Sequence, residues 1–360
     1  MCIAYFAWQH PQTPDLLLCA LFNRDEQLDR PTAPSHFWEN DQRILGGRDL
    51  VAGGTWMCVG TQSGRAAFLT NFRELRDPPC AAGAGAAGKG EPNHALGTMD
   101  SFRLGTPSRG ELPVGFVRGG AEPKRYLHSL HGGEAYAGFN LVVADLVQQR
   151  MAYLCNRGSG RPEPLPPGLH AITNGLRDAH WPKMDEGWRQ LQRLLDQGAF
   201  GAASSSSSSG RNQDSSGGGD AAGTTGGGAC SNGSDQQSGD RGGARGGKDS
   251  SSGGGGGGGR TSIPWEQLFA LLSDDRLLER DPAKLPQTGL GDEFEAAASG
   301  IFPIETGQGL FGTRSQAVLA VWRDGRGELR ERYRDDKGGD WREVQHSFEL
   351  PLGGSQGDAG

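Results

Sequence analysis

Cys2-Ile3-Ala4-Tyr5-Phe6-Ala7-Trp8 and, beyond a short turn, Leu16-Leu17-Leu18-Cys19-Ala20-Leu21-Phe22-Asn23-Arg24-Asp25-Glu26 decide how this chain folds. Both begin as apolar runs of strand length. The first stops at Gln9-His10-Pro11 and the second starts after Pro14-Asp15. That spacing predicts a hairpin of two buried strands, with the polar Asn23–Glu26 stretch at the end of the second.

Working outward, the same grammar repeats. Thr55–Gly60 and Ala66–Thr70 flank a Gly64-containing turn and predict a second hairpin. Phe139–Leu146 with Met151–Cys155 predicts a third, and Leu169–Thr173 adds a short strand. Ala317–Trp322 and Glu328–Arg334 flank Asp324-Gly325, a strong turn signal. The charge alternation from Arg323 to Arg342 predicts a solvated hairpin there. Residues 181–197 carry Met184, Trp188, Leu191 and Leu195 at helical spacing, with Pro182 in the first turn. Residues 263–273 predict a second helix capped by Ser262, and residues 122–131 a weaker one. Helices fall in blocks between strand pairs, so the expected class is α+β with mostly antiparallel sheets.

Composition bounds the rest. Of the 360 residues, those from 201 to 260 include 22 Gly and 14 Ser, too little apolar surface to offset ordering entropy. The expectation is a single domain over 1–352, interrupted by a low-complexity insertion at 78–107 and a disordered Gly/Ser-rich one at 201–260, with a disordered tail at 353–360. Without the insertions about 270 residues remain, suited to one large mixed domain. Net charge is −7 with Arg and Lys interspersed among acids, which argues against a nucleic-acid partner. No apolar run approaches transmembrane length, and no basic n-region opens the chain. Six cysteines without a Cys-x-x-Cys pair suit reduced thiols and a cytoplasmic setting.

Few residues carry chemistry. Cys2 is small enough at position 2 for the initiator Met1 to be removed, leaving a thiol and an α-amine on one residue. That amine is partly unprotonated near neutral pH and can take the thiol proton. The bland alternative is a small hydrophobe starting a buried strand. If the first two strands pair, Arg24 and Asp25 return toward Cys2, as a cation for the thiol and a carboxylate for the amine. A salt-bridged corner is the competing interpretation. Asn71 after Thr70, and Asn174 after Thr173, offer amide donors at strand ends. Gly312-Thr313-Arg314-Ser315 would bring Arg314 to the same cleft. His128 and His131 stand three apart, but no third ligand lies near, so no metal site is expected.

The series Cys2, Asn23-Arg24-Asp25-Glu26 with Arg30-Pro31, Gly53-Gly54-Thr55-Trp56, Thr70-Asn71, Gly138-Phe139-Asn140-Leu141, Thr173-Asn174 and Gly312-Thr313-Arg314 resembles the NRDE family, also called the transport and Golgi organisation protein 2 family. The resemblance spans most of the chain outside the insertions. It implies a branch similar to N-terminal nucleophile hydrolases: a four-layer αββα sandwich with two stacked antiparallel sheets. By that similarity Cys2 is nucleophile and amine base, and Arg24 and Asp25 are thiol and amine partners. Asn71 and Asn174 contact the oxyanion or amine, and Arg314 is a second cation. The adjacent Arg24-Asp25 departs from the wider spacing in those hydrolases. The family further implies roles in Golgi organisation, protein secretion and intracellular haem or lipid trafficking. No cofactor is required by this scheme; haem would be cargo, and a Golgi or mitochondrial association would follow. Two functions therefore stand: a trafficking protein binding haem, a lipid or another small molecule, or a hydrolase of non-peptide C–N amide bonds working through a Cys2 acyl-enzyme.

Overall fold

The computed structural model describes residues 2–73, 107–201, 261–286, 291–303, 311–334 and 339–351. Met1, the tail at 353–360, and both expected insertions except Pro107 and Gly201 lie outside the described residues.

In chain order, β1 (Cys2–Trp8) and β2 (Leu16–Gln27) form the expected hairpin. β3 (Thr32–Trp38), β4 (Asp41–Asp49), β5 (Met57–Gly60) and β6 (Arg65–Asn71) follow. Helices α1 (Glu111–Arg118) and α2 (Pro123–Ser129) precede β7 (Phe139–Asp145), β8 (Arg150–Cys155), the two-residue β9 (Glu163–Pro164) and β10 (Gly168–Ile172). Then come α3 (Pro182–Asp196), α4 (Trp265–Leu272), α5 (Asp292–Ala297), β11 (Phe311–Trp322), β12 (Arg326–Arg334) and β13 (Trp341–Glu349).

The strands make two sheets, ordered β10-β1-β2-β11-β12-β13 and β3-β4-β5-β6-β7-β8-β9, with every pairing antiparallel. Side-chain alternation sorts each central strand between two cores. Ala4, Phe6 and Trp8 of β1 join Phe22, Phe68 and Leu319 between the sheets. Ile3, Tyr5 and Ala7 point the other way, onto Leu191 of α3 and Phe269 of α4. On the far side Leu69, Leu141 and Leu154 pack against Phe116 of α1 and Leu127 of α2. The result is the four-layer αββα sandwich. Burial on both faces is why β1 reads as an unbroken apolar run rather than an alternating one.

Three differences from the sequence expectations have physical causes. β2 runs on through Asn23–Glu26 to Gln27, so these residues lie within a strand and not at its end. They stay extended because β11 pairs with β2 along its length, as far as Gln27 opposite Phe311. The hairpin at Arg323–Arg342 is not fully solvated: β12 alternates buried and partly exposed residues, and Glu331 is buried under β3, where its carboxylate accepts the Ser35 N–H. Strands β3, β4 and β13 carry no long apolar run and are held largely by their neighbours' ladders, so periodicity alone does not announce them. Among the described residues no helix is long and apolar enough to cross a membrane.

Candidate functional site

The β1–β2 register sets Cys2 opposite Arg24. On the other side of β2, Thr313 stands opposite Asp25 and Ser315 opposite Arg24, so Arg314 is the extra residue of a bulge. Alternation then divides the Asn-Arg-Asp-Glu stretch between two environments. Arg24 and Glu26 face a cleft between the sheets. Asn23 faces the α4 side, where its Nδ2 donates to the Leu272 and Ile301 carbonyls at 2.8 and 2.9 Å. The Asp25 carboxylate accepts the Thr313 hydroxyl at 2.8 Å.

The cleft has a volume of about 70 Å³ and is walled by Cys2, Arg24, Arg30, Asp49, Trp56 and Asn71, with residues 108–110 along one rim. It suits a few waters or the reacting end of a small ligand. Arg24 is held rigidly: it donates to Thr32 Oγ1 and Asp49 Oδ2, each at 3.0 Å, and its guanidinium lies 4.4 Å from the Trp56 ring. Arg30 Nε donates to the same Asp49 oxygen at 2.6 Å, and the Val51 and Ala52 N–H groups donate to Asp49 Oδ1 at 3.0 Å. Burial pushes the Asp49 carboxyl up, yet the Arg30 hydrogen bonds, the Ala52 N–H and the Arg24 charge outweigh it and hold it below the usual carboxylate value.

The Gly53-Gly54-Thr55-Trp56 motif builds one wall. Gly53 has φ +74, and a Cβ on Gly54 would lie 2.5 Å from the Gly110 carbonyl carbon. Only a bare backbone lets the start of α1 dock there, where Thr55 N donates to Gly110 O at 3.0 Å. That docking positions Trp56, and through it Arg24.

Cys2 is 6% exposed. Burial raises its thiol above the ordinary cysteine value. The amino-terminal charge, an Asp25 backbone N–H and the Arg24 guanidinium pull the other way, while the Asp25 carboxylate adds to the rise. The resting group is therefore a thiol that needs a base. Burial also raises the Asp25 carboxyl to about 6, against the amino-terminal charge, Lys183 and the Thr313 hydrogen bond.

The remaining expected residues separate. Asn71 is half-buried and lines the cleft. Asn174 is fully buried and both ends of its amide are engaged: Nδ2 donates to Asn71 O at 2.8 Å, and Oδ1 accepts from Thr173 Oγ1 at 3.2 Å and Lys183 Nζ at 3.5 Å. It buttresses Asn71 and presents no donor to the cleft. Arg314 does not share the cleft either. The bulge turns it to a small neighbouring pocket with Ser315, Glu331 and Tyr333, where it donates to the Leu28 carbonyl. Asn140 ties β7 to the end of β10, its Nδ2 donating to the Thr173 and Gly175 carbonyls at 2.8 and 3.1 Å. His128 and His131 are exposed, and no group of three His, Cys, Asp or Glu among the described residues is placed to hold a metal ion. Asp49, Trp56 as a stacking partner, and buried Lys183 escaped the sequence reading, since nothing local marks a lone Asp or a helical Lys as a neighbour of Cys2.

A family model described as Transport and Golgi organisation 2 matches residues 1–209, which include every cleft residue. The chain belongs to the transport and Golgi organisation 2 family. Its relatives include the "Transport and Golgi organization 2 homolog" of Mus musculus, 31% identical over 208 residues, 55% of this chain and 65% of that one. The Bos taurus homolog is 30% identical over 209 residues, 55% and 66% of the two chains. The Homo sapiens homolog is 31% identical over 195 residues, 51% and 60%. The matches thus span just under two thirds of these transport and Golgi organisation 2 relatives. Among solved structures, a Caenorhabditis elegans N-acylethanolamine-hydrolyzing acid amidase ortholog has a TM-score of 0.27 at 10% identity, over 54% of this chain and 79% of that one. A likeness that distant does not bear on chemistry.

Proposed function

We propose that this member of the family is a hydrolase of linear amide bonds that works through an acyl-enzyme on Cys2. One observation carries the reading: Cys2 lines a polar cleft together with Arg24 and Asn71, and an Asp25 N–H favours its thiolate. In this scheme removal of Met1 leaves the α-amine on Cys2. The amine takes the thiol proton, and the sulfur attacks the amide carbonyl. Arg24 and the Asn71 side-chain amide face the developing oxyanion. The tetrahedral adduct collapses by breaking the C–N bond, the α-ammonium returns its proton to the leaving amine, and water then cleaves the thioester with the amine again as base.

An electrophilic acyl probe tests the scheme. Intact mass shows whether Met1 is absent, and peptide mapping is expected to place the adduct on Cys2. Cys2→Ser is expected to lower labelling and turnover at least about 100-fold with unchanged circular dichroism. Equal turnover by a Met1-retaining protein would defeat it.

The relatives' names support a second reading, a role in transport and Golgi organisation. Haem or a lipid as the carried ligand follows only from what the family resemblance implies. Under it Cys2 is structural, and Cys2→Ser leaves ligand binding intact. At the Cys2 cleft itself, about 70 Å³ leaves room for a reacting amide group but not for a porphyrin, which supports the hydrolase reading at this site.

A further inference from the structure

Two acceptors that hold Arg24 come from neighbouring strand ends, Thr32 on β3 and its ladder partner Asp49 on β4. Asp49 is tied down by the N–H groups of the turn that follows it. Thr32 needs a different anchor. β3 is the edge strand of its sheet, and its ladder with β4 runs through Thr32–Asp49 and Ala33–Arg48, then resumes only at His36–Gly46. Pro34 and Ser35 fall in that break, and a proline has no N–H to give. Thr32, Ala33 and Pro34 are only half-buried, so apolar packing contributes little to fixing this stretch.

The other sheet supplies that anchor. Glu331 of β12 accepts the Ser35 N–H, and His346 Nε2 of β13 donates to the Ser35 carbonyl at 2.7 Å. Both backbone groups of Ser35 are thus claimed by side chains of the stacked sheet. The register puts the two together: His346 stands opposite Leu329, two residues from Glu331, so both project from one face of the hairpin. That face is the inter-sheet one, where Leu329 packs. Glu331 and Ser35 are 1% and 3% exposed, so a Ser35 N–H released there would have no bulk water to turn to. Phe37 of β3 lies edge-on to the His346 ring, with centroids 5.9 Å apart. The hairpin lies beyond residues 1–209, yet it grips the strand that carries a partner of Arg24.

We propose that Glu331 and His346 are positioning residues for the cleft: by clamping the Ser35 backbone they hold β3 in place, so that Thr32 keeps the Arg24 guanidinium over the Cys2 cleft. This rests on Arg24 acting in the cleft, as the hydrolase reading has it, but it needs no turnover. Glu331 works through the acceptor that its carboxyl oxygen offers to Ser35. Arg24 and Glu331 also feel each other's charge, so the test separates the acceptor from the charge.

Two measurements on the full-length protein test this. One is amide exchange across β3, read by mass. The other is alkylation of Cys2 by iodoacetamide at fixed pH, located by fragmentation of the amino-terminal tryptic peptide. Glu331→Leu is expected to speed exchange over Thr32–Trp38 at least about tenfold. It is also expected to slow Cys2 alkylation at least about threefold, because the Arg24 charge favours the thiolate. Glu331→Gln keeps the acceptor without the charge and is expected to match the wild type in both. In a Thr32→Val background Glu331→Leu is expected to leave alkylation where Thr32→Val alone puts it, because the clamp acts through that hydroxyl. Unchanged exchange, or unchanged or faster alkylation, in a folded Glu331→Leu protein overturns the proposal. So does a Glu331→Gln protein that behaves like Glu331→Leu, or full additivity with Thr32→Val. Should Glu331→Leu not fold, His346→Phe removes the other half of the clamp and is held to the same outcomes, with His346→Gln as the variant that keeps a donor. Slower alkylation with no acyl adduct at Cys2 leaves the clamp standing and sinks only the hydrolase.

Discussion

At the residue scale, neighbours on one strand live in different electrostatic settings. Arg24 and Asp25 are adjacent in sequence, yet pleating sends the guanidinium to Asp49 and Trp56 in the cleft and the carboxylate to Thr313 on the other face. Asp25 is a liability as an anion. Its carboxyl titrates near 6 in the folded protein, above the unfolded value of 3.8. A raised carboxylate binds its proton more tightly when folded, so its contribution is present at low pH and is lost as pH climbs from about 4 to about 6. Replacing it by Asn removes that slope. Urea unfolding from pH 4 to 7 is expected to show Asp25→Asn gaining about 2–3 kcal/mol on the wild type across this window. Parallel stability curves would contradict the assigned burial. Motif order made Cys2, Arg24 and Asn71 legible as candidate site residues; that they share one cleft was not legible there. The roles of Asn174 and Arg314 were not. Asn174 is consumed in bracing Asn71, and Arg314 falls on a bulge, which shifts the facing of side chains in a way that no single-sequence alternation foretells.

At the scale of elements, glycine decides where helices dock. Gly54 and Gly110 touch backbone to backbone, which seats α1 against the wall that carries Trp56. Gly54→Ala puts a methyl group into that contact. The expected loss is about 1–3 kcal/mol in urea unfolding, together with weaker probe labelling at Cys2 as Trp56 and Arg24 shift. Gly187 does the same for α3, since a Cβ there would lie 2.1 Å from the Tyr5 ring. The β1–β2 hairpin, the strands at 57–71 and 139–155, and α3 and α4 were readable because each carries its own apolar pattern. Strand β3 (TAPSHFW) and β13 (WREVQHSFE) were not, because what keeps them extended is pairing with β4 and β12.

At the scale of the whole molecule, the described residues on either side of the span 202–260 meet. Gly201 O accepts the Ser262 N–H at 2.9 Å, and Thr261 is tied by its N–H to Asp15 Oδ2 at 2.7 Å. A span whose flanking residues already meet can be replaced by a short linker without moving either of them. Replacing residues 203–259 by about five Gly and Ser residues removes about 2 kcal/mol of closure entropy. The expected outcome is a melting temperature equal to or a few degrees above that of the full chain, with probe labelling of Cys2 unchanged. A markedly less stable protein would mean that the stretch contributes contacts of its own. The inter-sheet core responds differently: Phe68→Ala, beside Phe6 at 4.9 Å between ring centroids, is expected to cost about 3–5 kcal/mol.

By itself the sequence determined the apolar strands, the helical stripes, the class of fold and the order of motif residues, because those depend on patterns a few residues long. Which motif residues share a cleft was decided only by tertiary structure. A bulge of one residue, a carbonyl claimed by an asparagine and a lysine arriving from another layer are set by contacts between segments far apart in the chain. Such contacts have no period along the sequence, and their energies exist only once both sheets are stacked.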